Sequence, residues 1–179
     1  FSAQTGCEAV VKIYDKDKSK TTHELDEVVN TSDFIFLSVP TPSNKDGSIS
    51  LSIIYDVFEE INNVVNYDNK KQPVILLRST VTPGTTRKIQ EKYPLLRLVF
   101  NPEFLTERSA KFDFINQARF IIGSNDISDL EEVSNLYRWR FGQNIPIIET
   151  NYETAEMIKY MNNCFFATKV SFLNEMHQI

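Results

Sequence analysis

Residues 95–107 read Leu95-Leu96-Arg97-Leu98-Val99-Phe100-Asn101-Pro102-Glu103-Phe104-Leu105-Thr106-Glu107, an apolar run that leads directly into two carboxylates four residues apart. The run Leu95–Phe100 predicts a buried strand, and α/β proteins keep their chemistry in the crevice beyond the carboxyl ends of such strands. If Pro102 begins a helix, Glu103 and Glu107 share one helical face, where paired acids can act as a base and an orienting group. The alternative is two surface acids on a first helical turn.

Strand and helix signals alternate outward from this stretch in both directions. Strands are predicted at Ala9–Asp15, Asp33–Val39, Pro73–Arg78, Leu95–Phe100, Arg119–Gly123 and Ile145–Ile148. Helices are predicted at His23–Asn30, Leu51–Val65, Thr85–Lys92, Ser128–Arg140 and Tyr152–Ile179, with cap-type residues at Ser50, Thr82 and 125–128. This alternation indicates an α/β layered fold, and the unbroken apolar strands indicate a mostly parallel sheet.

Composition and charge narrow the class of protein. The 179 residues are 41% apolar and 24% charged, which is ordinary for about one globular domain. The net charge of -5 and the scattered lysines and arginines lack the basic field of nucleic-acid binders, so we expect a small-molecule partner and no nucleic acid. No stretch approaches the ~20 apolar residues of a membrane span, so we expect no membrane partner and a cytoplasmic location. Cys7 and Cys164 lack zinc-ligand spacing, so no metal is expected.

Asp15 closes the predicted strand Ala9–Asp15, as an acid closes the second strand of a dinucleotide-binding unit. A carboxylate there accepts hydrogen bonds from the adenosine ribose and repels a 2'-phosphate, which favours NAD over NADP. The alternative is a solvated turn acid in the run Asp-Lys-Asp-Lys. The first strand of such a unit and its GxGxxG turn are not in the sequence, and we expect them upstream of residue 1. The terminal helix has no cap, so we expect the chain to continue beyond it as well.

Two further strand ends carry ligand-type residues. Val39-Pro40-Thr41 closes the strand at 33–39, so its backbone and the Thr41 hydroxyl can face a ligand; a Pro-stiffened loop exit is the alternative. The segment 79–86 follows the next strand and predicts free amides at a helix N-terminus, suited to an anion, with the Ser79 and Thr80 hydroxyls beside them. Helix capping by Thr82 is the alternative there.

Lys159 and Asn163 lie four residues apart on the predicted terminal helix and are therefore neighbours on its surface. An ammonium and an amide placed in this way can jointly stabilise an oxyanion. Taken alone, a Lys-Asn pair is equally compatible with an ordinary helix surface.

Four motifs, in order and in rough spacing, resemble those of the UDP-glucose/GDP-mannose dehydrogenase family. They are LSVPTP at 37–42, LRSTVTPG at 77–84, NPEFLTE at 101–107 and AEMIKYMNN at 155–163. The resemblance implies a Rossmann-like, doubly wound, mostly parallel α/β sheet that lacks its first strand and Gly-rich loop and is followed by a long C-terminal helix. It implies an NAD-binding domain at residues 1–150, incomplete at its N-terminus, and the start of a central helix at 151–179.

The resemblance also implies roles for individual residues. The glutamate matching Glu103 acts in the hydrolysis of a covalent thioester, the one matching Glu107 lies near the nicotinamide, and the threonine matching Thr80 helps to hold a water. Lys159 and Asn163 match catalytic positions on the central helix. NAD contacts are expected from Asp15, Val39, Pro40, Thr41, Ser79, Thr80 and Glu107, and substrate contacts from Glu103, Phe104, Leu105, Lys159 and Asn163.

The implied reaction oxidises the C6 alcohol of a nucleotide sugar, of the UDP-glucose or GDP-mannose type, to a carboxylate at the expense of NAD, a step of polysaccharide biosynthesis. The family's nucleophilic cysteine and its aspartate lie downstream of the central helix and are not in this sequence. We therefore expect no turnover by this chain alone, and a homo-oligomer formed through the C-terminal helix. Two other classes stay open: another NAD-dependent hydroxyacid-type dehydrogenase, and a non-enzymatic binding domain derived from the fold.

Overall fold

The computed structural model describes residues 9–105 and 108–179. In this part of the chain the strands are β1 (Phe34–Leu37), β2 (Val74–Leu77), β3 (Arg97–Phe100), β4 (Phe120–Gly123) and β5 (Ile147–Thr150). The helices are α1 (Leu25–Thr31), α2 (Ser52–Val64), α3 (Thr85–Lys92), α4 (Ala110–Ile115), α5 (Ile127–Phe141) and α6 (Tyr152–His177).

The strands form one sheet in the order β1-β2-β3-β4-β5. β1, β2 and β3 are mutually parallel, and so are β4 and β5. The two groups meet in an antiparallel contact at the pair Phe100 and Gly123. The predicted Rossmann-like, mostly parallel sheet with a long C-terminal helix is confirmed. Because β1, β2 and β3 run in one direction, the loops that follow them open at the same edge of the sheet.

Hydrophobic cores form on both faces of the sheet, as the doubly wound arrangement requires. β2 is buried along its whole length, with alternate side chains in the two cores. Ile75 and Leu77 pack in the core that also receives Phe58 of α2 and Ile89 of α3. The opposite core receives Val74 and Leu76 together with Val133 and Tyr137 from α5.

The predicted strand at Ala9–Asp15 is wrong, because this segment is not part of a sheet. The carbonyl of Ile13 accepts hydrogen bonds from the amides of Thr22 and His23, at 2.9 and 3.1 Å. A strand needs a neighbouring strand to pair its backbone groups. In the described part of the chain a turn pairs them instead, so Asp15 lies on an exposed segment rather than at a strand end.

The other element predictions hold with three exceptions. No helix begins at Pro102, because residues 101–105 are irregular, and the next helix is α4 at Ala110–Ile115, which the sequence did not predict. Three elements, α1, β3 and β5, begin two residues later than expected, at Leu25, Arg97 and Ile147. Of the predicted caps, the segment 125–128 supplies Asp126, whose side chain accepts from the amides of Ser128 and Asp129, whereas α2 and α3 have no side-chain N-cap.

Candidate functional site

A serine joins the loops that follow β1 and β2. The Ser79 hydroxyl accepts a hydrogen bond from the Val39 amide at 2.9 Å and donates one to the Val39 carbonyl at 2.8 Å. The Ser79 side chain thus links the two chain segments just beyond the last backbone pair of β1 and β2. It thereby fixes the direction in which the two loops leave the sheet. Pro40 is exposed, and Thr41 and Thr80 are half-buried beside it.

A buried arginine at the end of β2 organises the loop after β3. The Arg78 side chain is 5% exposed, and its Nη1 donates to Asn101 Oδ1 at 2.7 Å and to the Tyr137 hydroxyl at 3.3 Å. Its Nε and Nη2 donate to Oε2 of Glu103 at 3.3 and 3.0 Å. Tyr137 also donates to Asn101 Oδ1. Burial raises the pKa of Tyr137 to about 12, so its hydroxyl remains a donor across the ordinary pH range.

Glu103 is held at its main chain as well as at its carboxylate. Lys159 Nζ donates to the Glu103 carbonyl oxygen at 2.5 Å, which joins residues 56 positions apart in the sequence. The same ammonium lies 5.2 Å from the ring centroid of Phe104. Burial lowers the pKa of Lys159 below its ordinary value of 10.5, against the opposing charge of Glu103. The structure therefore brings together the acid and the amine that the sequence singled out separately.

The remaining predicted substrate residues lie around this pair. Phe104 and Leu105 are half-buried in the irregular segment after Glu103. Asn163 lies one turn beyond Lys159 on α6 and is exposed. Among the described residues, the lysine of the predicted Lys-Asn pair is the one with a hydrogen bond to the loop, and the joint role of the two residues stays a prediction.

The predicted free anion site at 79–86 is wrong, because a carboxylate of the chain itself fills it. Glu156 of α6 accepts hydrogen bonds from the Gly84 amide at 2.6 Å, from the Thr86 amide at 2.7 Å and from the Thr86 hydroxyl at 2.5 Å. Amides at a helix N-terminus attract negative charge, and here the partner comes from a distant helix. Burial raises the pKa of Glu156, against the hydrogen bonds from Thr86 and Gly84 that lower it.

Asp15 and Glu107 are the two acids among the predicted cofactor residues. Asp15 is exposed, and its carboxylate accepts a hydrogen bond from the Asp17 amide at 2.8 Å. Glu107 lies outside the described residues, so the expected pairing of Glu103 with Glu107 on one helical face has only its first half described. The irregular course of 101–105 removes the helix on which that pairing depended.

Sequence reasoning missed four residues of the site: Arg78, Asn101, Tyr137 and Glu156. The sequence analysis placed Arg78 at the polar end of a predicted strand. It included Asn101 in a motif but gave that residue no role of its own. Glu156 carried a usable signal, because it lies three residues before Lys159 and therefore on the same helical face. Tyr137 had no such signal, since only tertiary packing brings α5 to Arg78.

The fold and this cluster define a Rossmann-like α/β domain with polar groups gathered beyond the carboxyl ends of its parallel strands. The chain belongs to the UDP-glucose/GDP-mannose dehydrogenase family: the pattern of the family's NAD binding domain matches residues 4–140, and that of its central domain matches residues 153–179. NAD is the cofactor of this domain.

Known relatives agree with this membership. The UDP-glucose 6-dehydrogenase of Rickettsia prowazekii is 33% identical over 166 residues, which are 90% of this chain and 37% of the relative. An uncharacterized protein of Methanocaldococcus jannaschii is 40% identical over 156 residues, which are 84% of this chain and 17% of the relative. The chain thus spans well under half the length of these proteins.

Solved structures give the same result. A GDP-mannose dehydrogenase from Pseudomonas aeruginosa, solved as a ternary complex, superposes with a TM-score of 0.76 at 32% identity, covering 87% of this chain and 37% of that one. A UDP-glucose dehydrogenase from Pyrobaculum islandicum superposes with a TM-score of 0.75 at 29% identity, covering 88% and 37%.

The described residues fit part of an NAD site. The exposed Asp15 carboxylate suits the hydroxyls of a ribose, and the exposed backbone at Pro40 with the nearby Thr41 hydroxyl suits a ligand at the carboxyl edge of the sheet. The pyrophosphate would need a different group, because the amides at Gly84 and Thr86 are bonded to Glu156 and the sequence contains no GxGxxG turn.

Two features are absent from the described residues. Across residues 9–105 and 108–179, no helix is both long enough and apolar enough to span a bilayer. Within the same ranges, no cluster of three or more histidine, cysteine, aspartate or glutamate side chains is arranged to hold a metal ion.

Proposed function

We propose that this chain is the NAD-binding part of a nucleotide-sugar 6-dehydrogenase, which oxidises the C6 alcohol of a UDP-glucose or GDP-mannose type substrate to a carboxylate. One observation carries the proposal: the Lys159 ammonium lies 2.5 Å from the Glu103 carbonyl, at the sheet edge where the loops of three parallel strands open. An acid and a partly buried amine at such an edge supply two of the groups that oxidation through an acyl intermediate requires, a general base and an oxyanion stabiliser.

The residues have distinct roles in this proposal. The Glu103 carboxylate, oriented by Arg78, acts in the hydrolysis of the thioester. Lys159 and Asn163 stabilise the oxyanion that forms at the reacting carbon, and Thr80 helps to hold the water. When bound, NAD would supply the hydride acceptor. Residues 1–150 form the cofactor domain in this scheme and residues 151–179 begin the central helix.

The 179-residue chain is expected to show no steady NADH formation when it is supplied with NAD and either UDP-glucose or GDP-mannose. The thioester needs a thiolate nucleophile, and the sequence offers only Cys7 and Cys164, neither of which matches the family's nucleophile. The absorbance of NADH measures the result, and circular dichroism of the same sample shows whether the chain is folded. Continuous NADH production would contradict the prediction.

The coding sequence on either side of the chain tests the function itself. A GxGxxG turn upstream and a Gly-Cys-Asp segment downstream support a nucleotide-sugar dehydrogenase, because together they supply the pyrophosphate cradle and the nucleophile. If neither flank contains its segment, the non-enzymatic alternative is favoured. A longer protein that contains both segments but does not reduce NAD with either sugar nucleotide would refute the proposal.

The second half of α6 is proposed to form a dimer contact in solution. Large apolar side chains stand exposed there beside a polar stripe that includes Thr168; they are Phe165, Phe166, Val170, Phe172, Leu173 and Met176. An exposed apolar surface of this kind is typical of an interface. Sedimentation velocity is expected to show a dimer that Phe166→Asp weakens and Thr168→Asp leaves intact. A monomer at every concentration tested would contradict the proposal.

A further inference from the structure

Glu156 is an unusual residue to bury, because an ionised carboxylate without partners is strongly disfavoured inside a protein. Its side chain is fully buried, and both of its oxygens are satisfied by donors at the N-terminus of α3. The result is a helix cap supplied by another helix, 70 or more residues later in the chain. This contact joins α6 to the loop that follows β2.

The position of Glu156 on α6 links it to Lys159. The buried residues of α6 are Tyr152, Ala155, Glu156 and Lys159, which lie three and four apart and therefore on one face of the helix. Beyond Lys159 the helix extends away from the body of the domain, and its large apolar side chains there are exposed. Glu156 is thus the last polar anchor before the lysine, ~4.5 Å away along the helix axis at 1.5 Å per residue.

A second contact spans the same two helices but cannot replace the first. Arg87 of α3 pairs with Glu153 of α6, and the two side chains are 48% and 35% exposed. An ion pair at this exposure contributes little, because water screens it and the two long side chains lose rotamer freedom. Tyr152 of α6 also donates to Gln90 of α3, at 3.2 Å and toward the carboxyl end of α3. The buried Glu156 carboxylate is the contact that holds α6 on the amino end of α3.

We propose that Glu156 is the positioning residue for Lys159: by locking α6 onto the amino end of α3, its carboxylate seats the Lys159 ammonium against the Glu103 carbonyl. The proposal rests on the proposed function, in which Lys159 acts at the substrate. Glu156 touches neither Lys159 nor Glu103 through a hydrogen bond, and it acts through the register of the helix.

The contact between Glu156 and the start of α3 is also connected to the loops that follow the strands. Glu156 holds Gly84 and Thr86, which end the loop that Ser79 begins, and Ser79 is bonded to Val39 after β1. Lys159 in turn holds the loop after β3. Two side chains of α6, Glu156 and Lys159, thus hold the loops that follow β2 and β3, and Ser79 joins the loop after β2 to the loop after β1.

The test is to measure the pKa of Lys159 in the Glu156→Gln variant of this chain. Isotope-labelled methyl groups are introduced on the lysines by reductive methylation, and their NMR signals are recorded as a function of pH. If Glu156 positions Lys159, the variant loses the bond to Gly84, the helix shifts, and the lysine becomes hydrated, so its pKa rises toward 10.5. The direct electrostatic effect has the opposite sign, because removing a negative charge disfavours the ammonium and lowers its pKa. An increase in the pKa of Lys159 therefore indicates that the lysine has moved, because the loss of the Glu156 charge alone would lower that pKa.

Control variants show whether a change in the Lys159 titration is caused by the loss of the Glu156 contact. Glu153→Gln removes a carboxylate one turn earlier on the same helix and is expected to leave the Lys159 titration unchanged, with the exposed Lys169 as internal reference. Amide exchange at Gly84 is expected to accelerate at least about tenfold in Glu156→Gln, which shows that the contact is broken. If that variant does not fold, Thr86→Val, which removes only the hydroxyl donor to Glu156 Oε1, is judged by the Lys159 titration together with amide exchange at Thr86.

An unchanged or lowered pKa of Lys159 in the folded variant, with Gly84 exchange accelerated, would overturn the proposal. The titration needs neither NAD nor substrate, so it is independent of the proposed function. Failure of a longer protein to reduce NAD would refute that function and leave the positioning role to be decided by the Lys159 titration.

Discussion

Replacing Gly123 with alanine is expected to lower the free energy of unfolding by about 3 kcal/mol, near the upper end for overpacking a well-filled core. A Cβ at this position would lie 2.6 Å from the Ala155 Cβ and 2.7 Å from the Asn151 carbonyl oxygen. Neither neighbour is the end of a flexible side chain, so relief requires β4 and α6 to move apart. Urea denaturation of the variant and the parent chain measures the difference.

The same variant is expected to disturb the site, because the start of α6 is what Gly123 contacts. The matched control is Gly142→Ala, because the added Cβ there has no atom within 4 Å. The loss of stability in that variant comes from the backbone alone, since its φ is +96°. That loss is expected to be about 1–2 kcal/mol, because φ +96° with ψ 157° is a conformation that residues with a Cβ avoid. Ala155→Gly should rescue Gly123→Ala only in part, since the Asn151 carbonyl remains. Equal losses for Gly123→Ala and Gly142→Ala would show that close packing of α6 on β4 is not the cause.

Replacing Arg78 with methionine is expected to lower the free energy of unfolding by about 2 kcal/mol. The substitution removes the donors to Asn101 Oδ1 and to the Glu103 carboxylate, while methionine keeps most of the buried apolar volume. Two features limit the loss. The Glu103 side chain is 38% exposed and can regain water, and Tyr137 still donates to Asn101.

Chemical denaturation measures this loss, and hydrogen exchange of the 101–105 amides shows whether the loop is released. Arg87→Met is the control, since it removes an arginine from an exposed pair with Glu153 and is expected to change stability little. A double-mutant cycle with Glu103→Gln isolates the Arg78–Glu103 interaction. If Arg78→Met and Arg87→Met cost the same, the buried cluster is not what holds the Glu103 loop.

Local patterns predicted most of the regular structure. The apolar runs placed all five observed strands, and the boundaries of α3 were predicted to the residue. These elements are readable because a strand buried on both faces needs a continuous apolar run, whatever packs against it. The failure at Ala9–Asp15 has a physical cause. Ala9–Asp15 has a strand pattern but no strand beside it in the described chain, and a pattern alone does not supply a hydrogen-bonding partner.

The sequence by itself predicted which polar residues follow the strands, and it singled out Glu103 and Lys159 as candidate site residues. It also determined the family, since four motifs in order are more specific than any one of them. Only the tertiary structure decided how those residues are held. Arg78 donates to the Glu103 carboxylate, and Lys159 donates to the Glu103 carbonyl. Glu156 accepts from amides that the sequence analysis predicted to be free for a ligand. The physical reason is that a buried charge must find its partners in space, and partners 25, 56 and 70 residues away leave no trace in local spacing.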